Sequence, residues 1–325
     1  MYKVSTTIIT KSKDLPAITS HNFFHSPELF RMIESTPGQQ PYMAIARDAD
    51  GRVVGHILAS VRCRYRLLPL YFFTQGRVYG EGEYAPDVDA EAVFGELLRA
   101  LTVKFRRKLC LFVEFSDITH KMFGYKYFRA NEYFPIRWLE VHNSLHSMAP
   151  ADRITDKTRR RIAKSANSGI TTREVNSIDE VHDFYTMLRR VYHTRVRRFL
   201  PGRALFDELY KSSHARIYIT LYHHNIIGGC ACIYTQGNAY LWFHASKSKR
   251  YAYLHPNAMT IWQAINSAYD SGCRHFYFLD AGLPFRRNLF REFILGFGGK
   301  TVSKYRWFRF NIPWINQILS RWYIG

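Results

Sequence analysis

Acidic residues are scarce in this chain: 26 Asp and Glu stand against 46 Lys and Arg over 325 residues, a formal charge of +20. Long apolar runs are missing as well. No stretch of about 18 apolar residues occurs, which excludes a helix built to cross a bilayer. The opening MYKVSTTIITKSKD has no apolar signal core, so a cytoplasmic protein is expected. Cysteine is sparse and odd in number, at Cys63, Cys110, Cys230, Cys232 and Cys273. Each lies in an apolar stretch, which predicts buried thiols in a reducing compartment rather than a disulfide framework. There is no Walker sequence, no GxGxxG and no GxSxG elbow, and no motif marks a cysteine as nucleophile. His142 with His146, and His223 with His224, lack the companions of a known metal site, so no metal is expected.

Aromatic residues make up 16% of the chain and hydrophobic residues 47%, a composition that folds. The positive charge is unevenly spread. Residues 1–150 carry 19 Lys and Arg against 15 acids, and residues 151–325 carry 27 against 11. Such a half attracts polyanions: nucleic acid, phosphorylated substrates or an anionic membrane face. Solubility is the lesser, alternative reason for part of the excess.

In HNFFHSPELFRMI (21–33), Ser26 and Pro27 predict the cap and first position of a short helix. Tyr42–Arg47 and Arg52–Cys63 pair around the turn Asp50-Gly51, and Tyr71–Tyr79 reads as a third strand. Phe94, Leu97, Leu98, Leu101 and Phe105 mark one buried face of a helix over 90–106. A strand over Cys110–Phe115 and a closing strand over Ile136–Val141 follow. The same order returns in 215–309. Strand Arg216–Tyr222 turns at His224-Asn225 into IIGG (226–229), as the earlier hairpin turns into VVGH (53–56), so Gly228 matches Gly55. Then come the strand AYLWFHA (239–245), a helix over Pro256–Ser271, the strand His275–Leu279, a helix over Phe285–Leu295 and a closing strand Lys304–Phe310. Between the repeats, helices are expected over Asp152–Ser168, Ile178–Arg195 and Ala204–Lys211. The reading is α/β (α+β), with two similar domains in tandem, 1–150 and 151–325.

Polar groups gather where strands of the second half end and helices begin, the usual place for a ligand in α/β folds. Arg153, Lys157, Arg160 and Lys164, at steps of four, three and four, place cations along one helix face, with Arg159 and Arg161 beside them. A second cluster, Arg189, Arg190, Arg195, Arg197 and Arg198, lies nearby in sequence. Lys247, Lys249 and Arg250 precede the helix that Pro256 opens, where free N–H groups favour phosphate. Asp280 ends an apolar strand and is placed to act as a base or hold an amine. It could equally cap the next turn or pair with Arg286 or Arg287. In the tail NIPWINQILSRWYIG, Trp314, Ile315, Ile318, Leu319 and Trp322 share a helical face. Docking onto the protein's own sheet is the expectation for that face, a membrane surface the alternative.

Several stretches in this order resemble the FemAB-like (Fem-type) branch of the GNAT acyltransferase superfamily. They are RRRIAKSANSGI (159–170), the spacing of Pro201, Phe206 and Leu209, IIGG, AYLWFHA, Pro256, FYFLDAG (276–282) and EFILGFGG (292–299). The resemblance covers half the chain and implies two tandem GNAT-like domains, each a mixed, mostly antiparallel sheet flanked by helices. It implies acyl transfer to an amine of a cell-envelope precursor, an anionic or lipid-linked substrate, with acyl-CoA or aminoacyl-tRNA as co-substrate and no tightly bound cofactor. tRNA and a peripheral membrane contact are further partners it suggests. Asp280 would position the amine or take its proton, and a tyrosine such as Tyr251, Tyr253 or Tyr305 would protonate the leaving group, Tyr253 first among them. Trp242, Phe243, Lys247, Lys249, Arg250, Asn257, Gly282, Arg286 and Phe293 would bind the donor. Arg160, Arg161, Lys164 and Arg195 would bind the anionic acceptor. Two departures stand out. RYAYLH (250–255) lacks the glycines that usually precede the helix in CoA-using members, and Ile294 stands where Fem-type members carry the lysine of FKxxFGG. A catalytically silent module that binds RNA or an anionic surface is the competing reading.

Overall fold

The computed structural model describes residues 4–63, 74–108, 110–116, 120–193 and 199–324. They form two compact units, Met1–Trp138 with Lys304–Gly325, and Leu139–Ser303. In chain order the elements are β1 (Ser5–Ile9), α1 (Pro27–Ser35), β2 (Gln39–Arg47), β3 (Val53–Cys63), β4 (Thr74–Tyr79), β5 (Glu83–Tyr84), α2 (Ala90–Arg107), β6 (Phe112–Ser116), α3 (Tyr125–Ala130) and β7 (Phe134–Ser144). There follow α4 (Pro150–Arg153), α5 (Asp156–Asn167), β8 (Thr171–Glu174), α6 (Ile178–His193), α7 (Arg203–Lys211), β9 (Ala215–Tyr222), β10 (Asn225–Thr235), β11 (Asn238–Ser246) and α8 (Pro256–Asp270). The last are β12 (His275–Phe278), α9 (Leu289–Leu295), β13 (Lys300–Phe310) and α10 (Pro313–Ile324).

The first unit orders its strands β1-β2-β3-β4-β6-β13. Only β4 and β6 run parallel, as the helical crossover α2 between them requires. The stripe Phe94, Leu97, Leu98, Leu101 and Phe105 of α2 is fully buried against Tyr42, Ala44, Ile57, Val113 and Phe115. Ser26 caps α1 as its sequence predicts, its Oγ accepting the Leu29 N–H at 3.0 Å. Within β6 the one acid, Glu114, is buried and paired with Arg77 and Arg306.

The second unit repeats the plan as β7-β12-β11-β10-β9-β8. Here β11 and β12 are the parallel pair and α8 is the crossover. Its core joins Val141, Cys230, Cys232, Leu241, Ile261, Ala264, Ile265, Phe276, Phe278, Ile294 and Phe297. The two glycines matched in sequence do one job. A Cβ on Gly55 would meet Tyr84 at 2.7 Å and Val93 of α2 at 3.0 Å, and one on Gly228 would meet Thr260 Oγ1 of α8 at 2.6 Å. In each unit the missing side chain lets the crossover helix sit down on the hairpin.

The structure revises four expectations. The spatial units are not the linear halves 1–150 and 151–325, because each closing strand serves the other half. β13 pairs with β6, and the second part of β7 pairs with β12, Val141 opposite Phe278. Both strands are apolar enough to complete either core. The helix expected over Asp152–Ser168 is two, α4 and α5. Ile154 between them is buried, and Thr155 starts the second by accepting the Thr158 N–H. Arg153 therefore leaves the stripe of Lys157, Arg160 and Lys164, and its guanidinium donates to Ser147 Oγ. The helix expected over Phe285–Leu295 spans only Leu289–Leu295, since Asn288 caps it with Oδ1 accepting from Phe290 and Arg291 N–H. Arg286 and Arg287 thus lie in the preceding turn. Finally, Trp314, Ile318 and Trp322 of α10 are exposed rather than docked. Residues 71–73 of the third strand lie outside the described residues.

Candidate active site

β11 and β12 run side by side only at first. Their register covers Asn238–Leu241 against His275–Phe278. Beyond it, the chain after β12 stays with β7: Ala281 N–H donates to Leu139 O at 3.0 Å, and Leu139 N–H to Gly282 O at 2.8 Å. β11 instead stays with β10 as far as Ser246 opposite Gly228. The parallel pair therefore splays open after Leu241 and Phe278. At the parting point β11 carries a bulge. Ala231 faces Phe243 and Cys232 faces Leu241, so Trp242 is the extra residue. A bulge takes its residue's backbone out of the ladder and re-aims it, a device frequent beside active sites.

Asp280 stands on the β12 side of this opening, half-buried between the buried Leu279 and Ala281. The turn behind it is held firmly. Gly282 has φ +81°, and a Cβ there would meet the Asn288 amide at 2.5 Å. Asn288 Nδ2 donates to Ala281 O at 3.1 Å, and Arg291 donates to the carbonyls of Ala281, Leu283 and Arg286. Arg287 pairs with Glu292 at 3.0 Å on the surface. Arg286 is exposed.

The basic groups converge on the start of α8. Its cap, His255, is left-handed (φ +45°) with Pro256 at the first position. The loop before it is tied down: Lys247 N–H donates to Ile227 O at 2.8 Å, Ser246 Oγ donates to Asn257 Oδ1, and Asn257 Nδ2 donates to Ser248 Oγ at 2.8 Å. Burial, then Arg190 and Arg250, pull the Lys247 ammonium below its ordinary range, with Asp183 opposing. Burial, then Arg161 and Lys164 of α5, pull His255 down. Ser165 Oγ donates to Leu254 O at 2.7 Å and anchors α5 there. Cations from three separate segments thus gather at one helix N-terminus, whose dipole adds to the positive field.

Of the residues singled out from sequence, Lys247, Arg250, Asn257, Arg161 and Lys164 meet at this place. Lys249 and Arg160 are exposed on the same loop and helix. Tyr253 is 57% exposed in the 3-10 turn that leads into α8. Trp242 is half-buried at the bulge. Phe243 is not a lining group: it is 6% exposed, with its ring 5.0 Å from that of Phe206. Phe293 packs on Phe290 and Phe297. Ile294 is fully buried in the core, so this position offers no reach toward a ligand. Arg195 lies outside the described residues. Sequence reading passed over His244, two residues beyond the bulge and stacked at 5.8 Å on Phe290. A lone histidine in an aromatic strand carries no signal of its own. His255 was missed too, although a histidine directly before a helix-opening proline is a readable position. Among the described residues no group of three or more His, Cys, Asp or Glu is placed to hold a metal.

Residues 153–287 match a family model described as an acetyltransferase (GNAT) domain. No curated protein matches the chain significantly in sequence. Among solved structures, the crystal structure of FemX covers 97% of this chain and 100% of its own, with TM-score 0.64 at 9% identity. The C-terminal domain of a putative lysylphosphatidylglycerol synthetase from Agrobacterium fabrum covers 92% and 90%, with TM-score 0.61 at 12% identity. A tandem GNAT protein from the clavulanic acid biosynthesis pathway covers 95% and 99%, with TM-score 0.60 at 10% identity. At these identities the likeness is one of fold, and that fold holds over nearly the whole chain. Residues 153–287 thus match a GNAT acetyltransferase domain, and the fold shared with FemX and the tandem GNAT protein extends over nearly the whole chain.

Proposed function

We propose that the second unit moves an acyl or aminoacyl group from a phosphate-bearing carrier, acyl-CoA or aminoacyl-tRNA, onto an amine of a cell-envelope precursor. The observation that carries this reading is the opening between β11 and β12, with a bulge on one side, a carboxylate on the other and cations at the adjacent start of α8. The carrier's phosphates are assigned to the α8 N-terminus with Lys247, Lys249, Arg250, Arg161 and Lys164. The acyl carbonyl is assigned to the bulge, where the Trp242 N–H serves as oxyanion donor. The acceptor amine attacks the carbonyl carbon from the Asp280 side. A C–N bond forms, the carrier's C–S or C–O bond breaks, and the amine proton passes to Asp280. Tyr253 protonates the leaving thiolate or alkoxide and recovers a proton from solvent. An envelope amine as acceptor is favoured by the likeness to FemX and to a putative lysylphosphatidylglycerol synthetase.

The uneven charge, 27 basic against 11 acidic residues in 151–325, supports a second reading, a silent module that binds RNA or another polyanion. Thermal stability with acyl-CoA, aminoacyl-tRNA and uncharged tRNA, at low and high salt, separates the two. A specific donor at a hundred times its Kd stabilises by about 2.7 kcal/mol. An enzyme responds saturably to one donor, with modest salt dependence. Stabilisation by every polyanion, lost steeply as salt rises, would favour the module.

A further inference from the structure

The C-terminal helix α10 turns an apolar face outward. Trp314, Ile318 and Trp322, at steps of four, are 64%, 53% and 79% exposed. The opposite face pins the helix to its own unit. The buried Asn316 accepts the Phe310 N–H at 2.8 Å and donates to Glu132 O at 2.9 Å. The ring of Tyr323 stacks on Phe134 at 6.1 Å. The outward stripe is therefore held in place by the fold without contributing to it. No helix among the described residues is long and apolar enough to cross a membrane, and α10 has only 12 residues.

Cations lie on α10 and near its start. Arg321 is exposed on α10 itself, and Arg106, Arg107 and Lys108 are exposed at the end of α2. That end is joined to the start of α10: Asn311 donates its N–H to Leu111 O at 3.0 Å and its amide to Phe105 O at 3.3 Å and to Cys110 O. α10 contains no acid. Glu132, which meets it through its carbonyl, has its carboxylate 2.9 Å from Arg309.

We propose that α10 lies in the plane of an anionic membrane surface. Trp314, Ile318 and Trp322 enter the boundary between headgroups and acyl chains, and Arg321, Arg106, Arg107 and Lys108 meet the anionic headgroups. Indole rings suit that boundary, with an apolar body and one N–H donor for the wet side. Membrane affinity of this kind adds buried apolar area to attraction between basic side chains and anionic lipid. Charge also argues against a second copy as the cover, since pairing two such faces would press like-charged rims together. The inference does not depend on which donor or acceptor the second unit takes.

The test is co-sedimentation of the full chain with extruded vesicles, either phosphatidylcholine alone or an equal mixture with phosphatidylglycerol. Sedimentation velocity without lipid accompanies it. The mixed vesicles are expected to bind at least tenfold more tightly. Trp322→Ser should weaken binding severalfold, and the triple variant Trp314→Ser, Ile318→Ser, Trp322→Ser at least tenfold, both with unchanged circular dichroism and melting temperature. Bromine-labelled acyl chains should quench tryptophan emission in the wild type and much less in the triple variant. Equal binding of wild type and triple variant, or no binding to mixed vesicles, would overturn the proposal. So would a lipid-free dimer that the triple variant dissociates, which would assign the face to a second copy.

Discussion

Gly228 of β10 lies directly beneath the Thr260 hydroxyl of α8, with 2.6 Å between that oxygen and the place a Cβ would take. The hydroxyl cannot easily move aside. It is 2.6 Å from Thr220 Oγ1 and donates to Pro256 O at 2.9 Å. A methyl group at Gly228 must lift the first turns of α8, the turns to which the cationic loop is tied. Gly228→Ala should therefore cost about 1–3 kcal/mol in urea unfolding and weaken donor binding as well. Adding Thr260→Ala, which removes the obstructing oxygen, should restore part of both.

Asn257 joins Ser246 and Ser248 to the start of α8. Asn257→Ala should free the loop that carries Lys247, Lys249 and Arg250 at a cost of about 1 kcal/mol in stability. Steady-state kinetics should show a rise in the donor's KM with a smaller change in kcat. An equal fall in kcat and kcat/KM would instead place Asn257 at the reacting atoms.

Asp280→Asn keeps the size of the side chain and removes its capacity to take a proton. If Asp280 is the base, turnover should fall by roughly 10²–10⁴-fold while the donor's Kd and the melting temperature stay within twofold and a degree or two of wild type. Raising the pH should recover part of the lost rate with an amine that is deprotonated in solution.

Much of this architecture could be read from the sequence, because it rests on local patterns. The stripe of α2, the hairpins, the Ser26 cap and the matched Gly55 and Gly228 are all signals of period, turn chemistry or close approach. The exchange of closing strands could not be read. β7 and β13 both interleave aromatic and polar residues, and which sheet edge each completes is settled by non-local pairing. The bulge at Trp242 was hidden for a different reason: in AYLWFHAS nearly every residue is apolar or aromatic, so no alternation exists for an extra residue to break. The break between α4 and α5 left a trace, Thr155 followed by Asp156, but the basic stripe around it masked the cap. Asp280 was legible because a carboxylate at the end of an apolar strand is unusual. The company of Arg190 and Lys247 was not, since it needs α6 and the 246–250 loop to meet in space.

The first unit holds a pH-sensitive cluster. Both ring nitrogens of the fully buried His25 face backbone N–H groups, those of Leu58 and Gly82, each at 3.1 Å. An imidazolium has no acceptor for either. Burial and then His56 push His25 down to about 3, against Glu83, which raises it. Unfolded, the same ring titrates near 6.5 and takes up its proton first. Its contribution to stability is thus complete above that pH and lost as pH falls toward about 3. For Glu83, burial raises the carboxyl but hydrogen bonds from His56, Ser20 and the His21 N–H outweigh it and hold it at about 2, so its share is lost below its ordinary 4.5. Urea unfolding of wild type and His25→Gln between pH 7.5 and 4.5 should show the wild type losing stability more steeply. Parallel slopes would mean that His25 takes up its proton over the same pH range in the folded as in the unfolded chain.

A crystal structure with a non-transferable thioether analogue of the donor bears most directly on the proposed chemistry. The acyl oxygen should lie within hydrogen-bond distance of the Trp242 N–H, with a carrier phosphate against the first turn of α8 beside Lys247 and Arg161. A donor bound elsewhere, or side chains closing the gap between β11 and β12 so that no acyl group can enter, would contradict it.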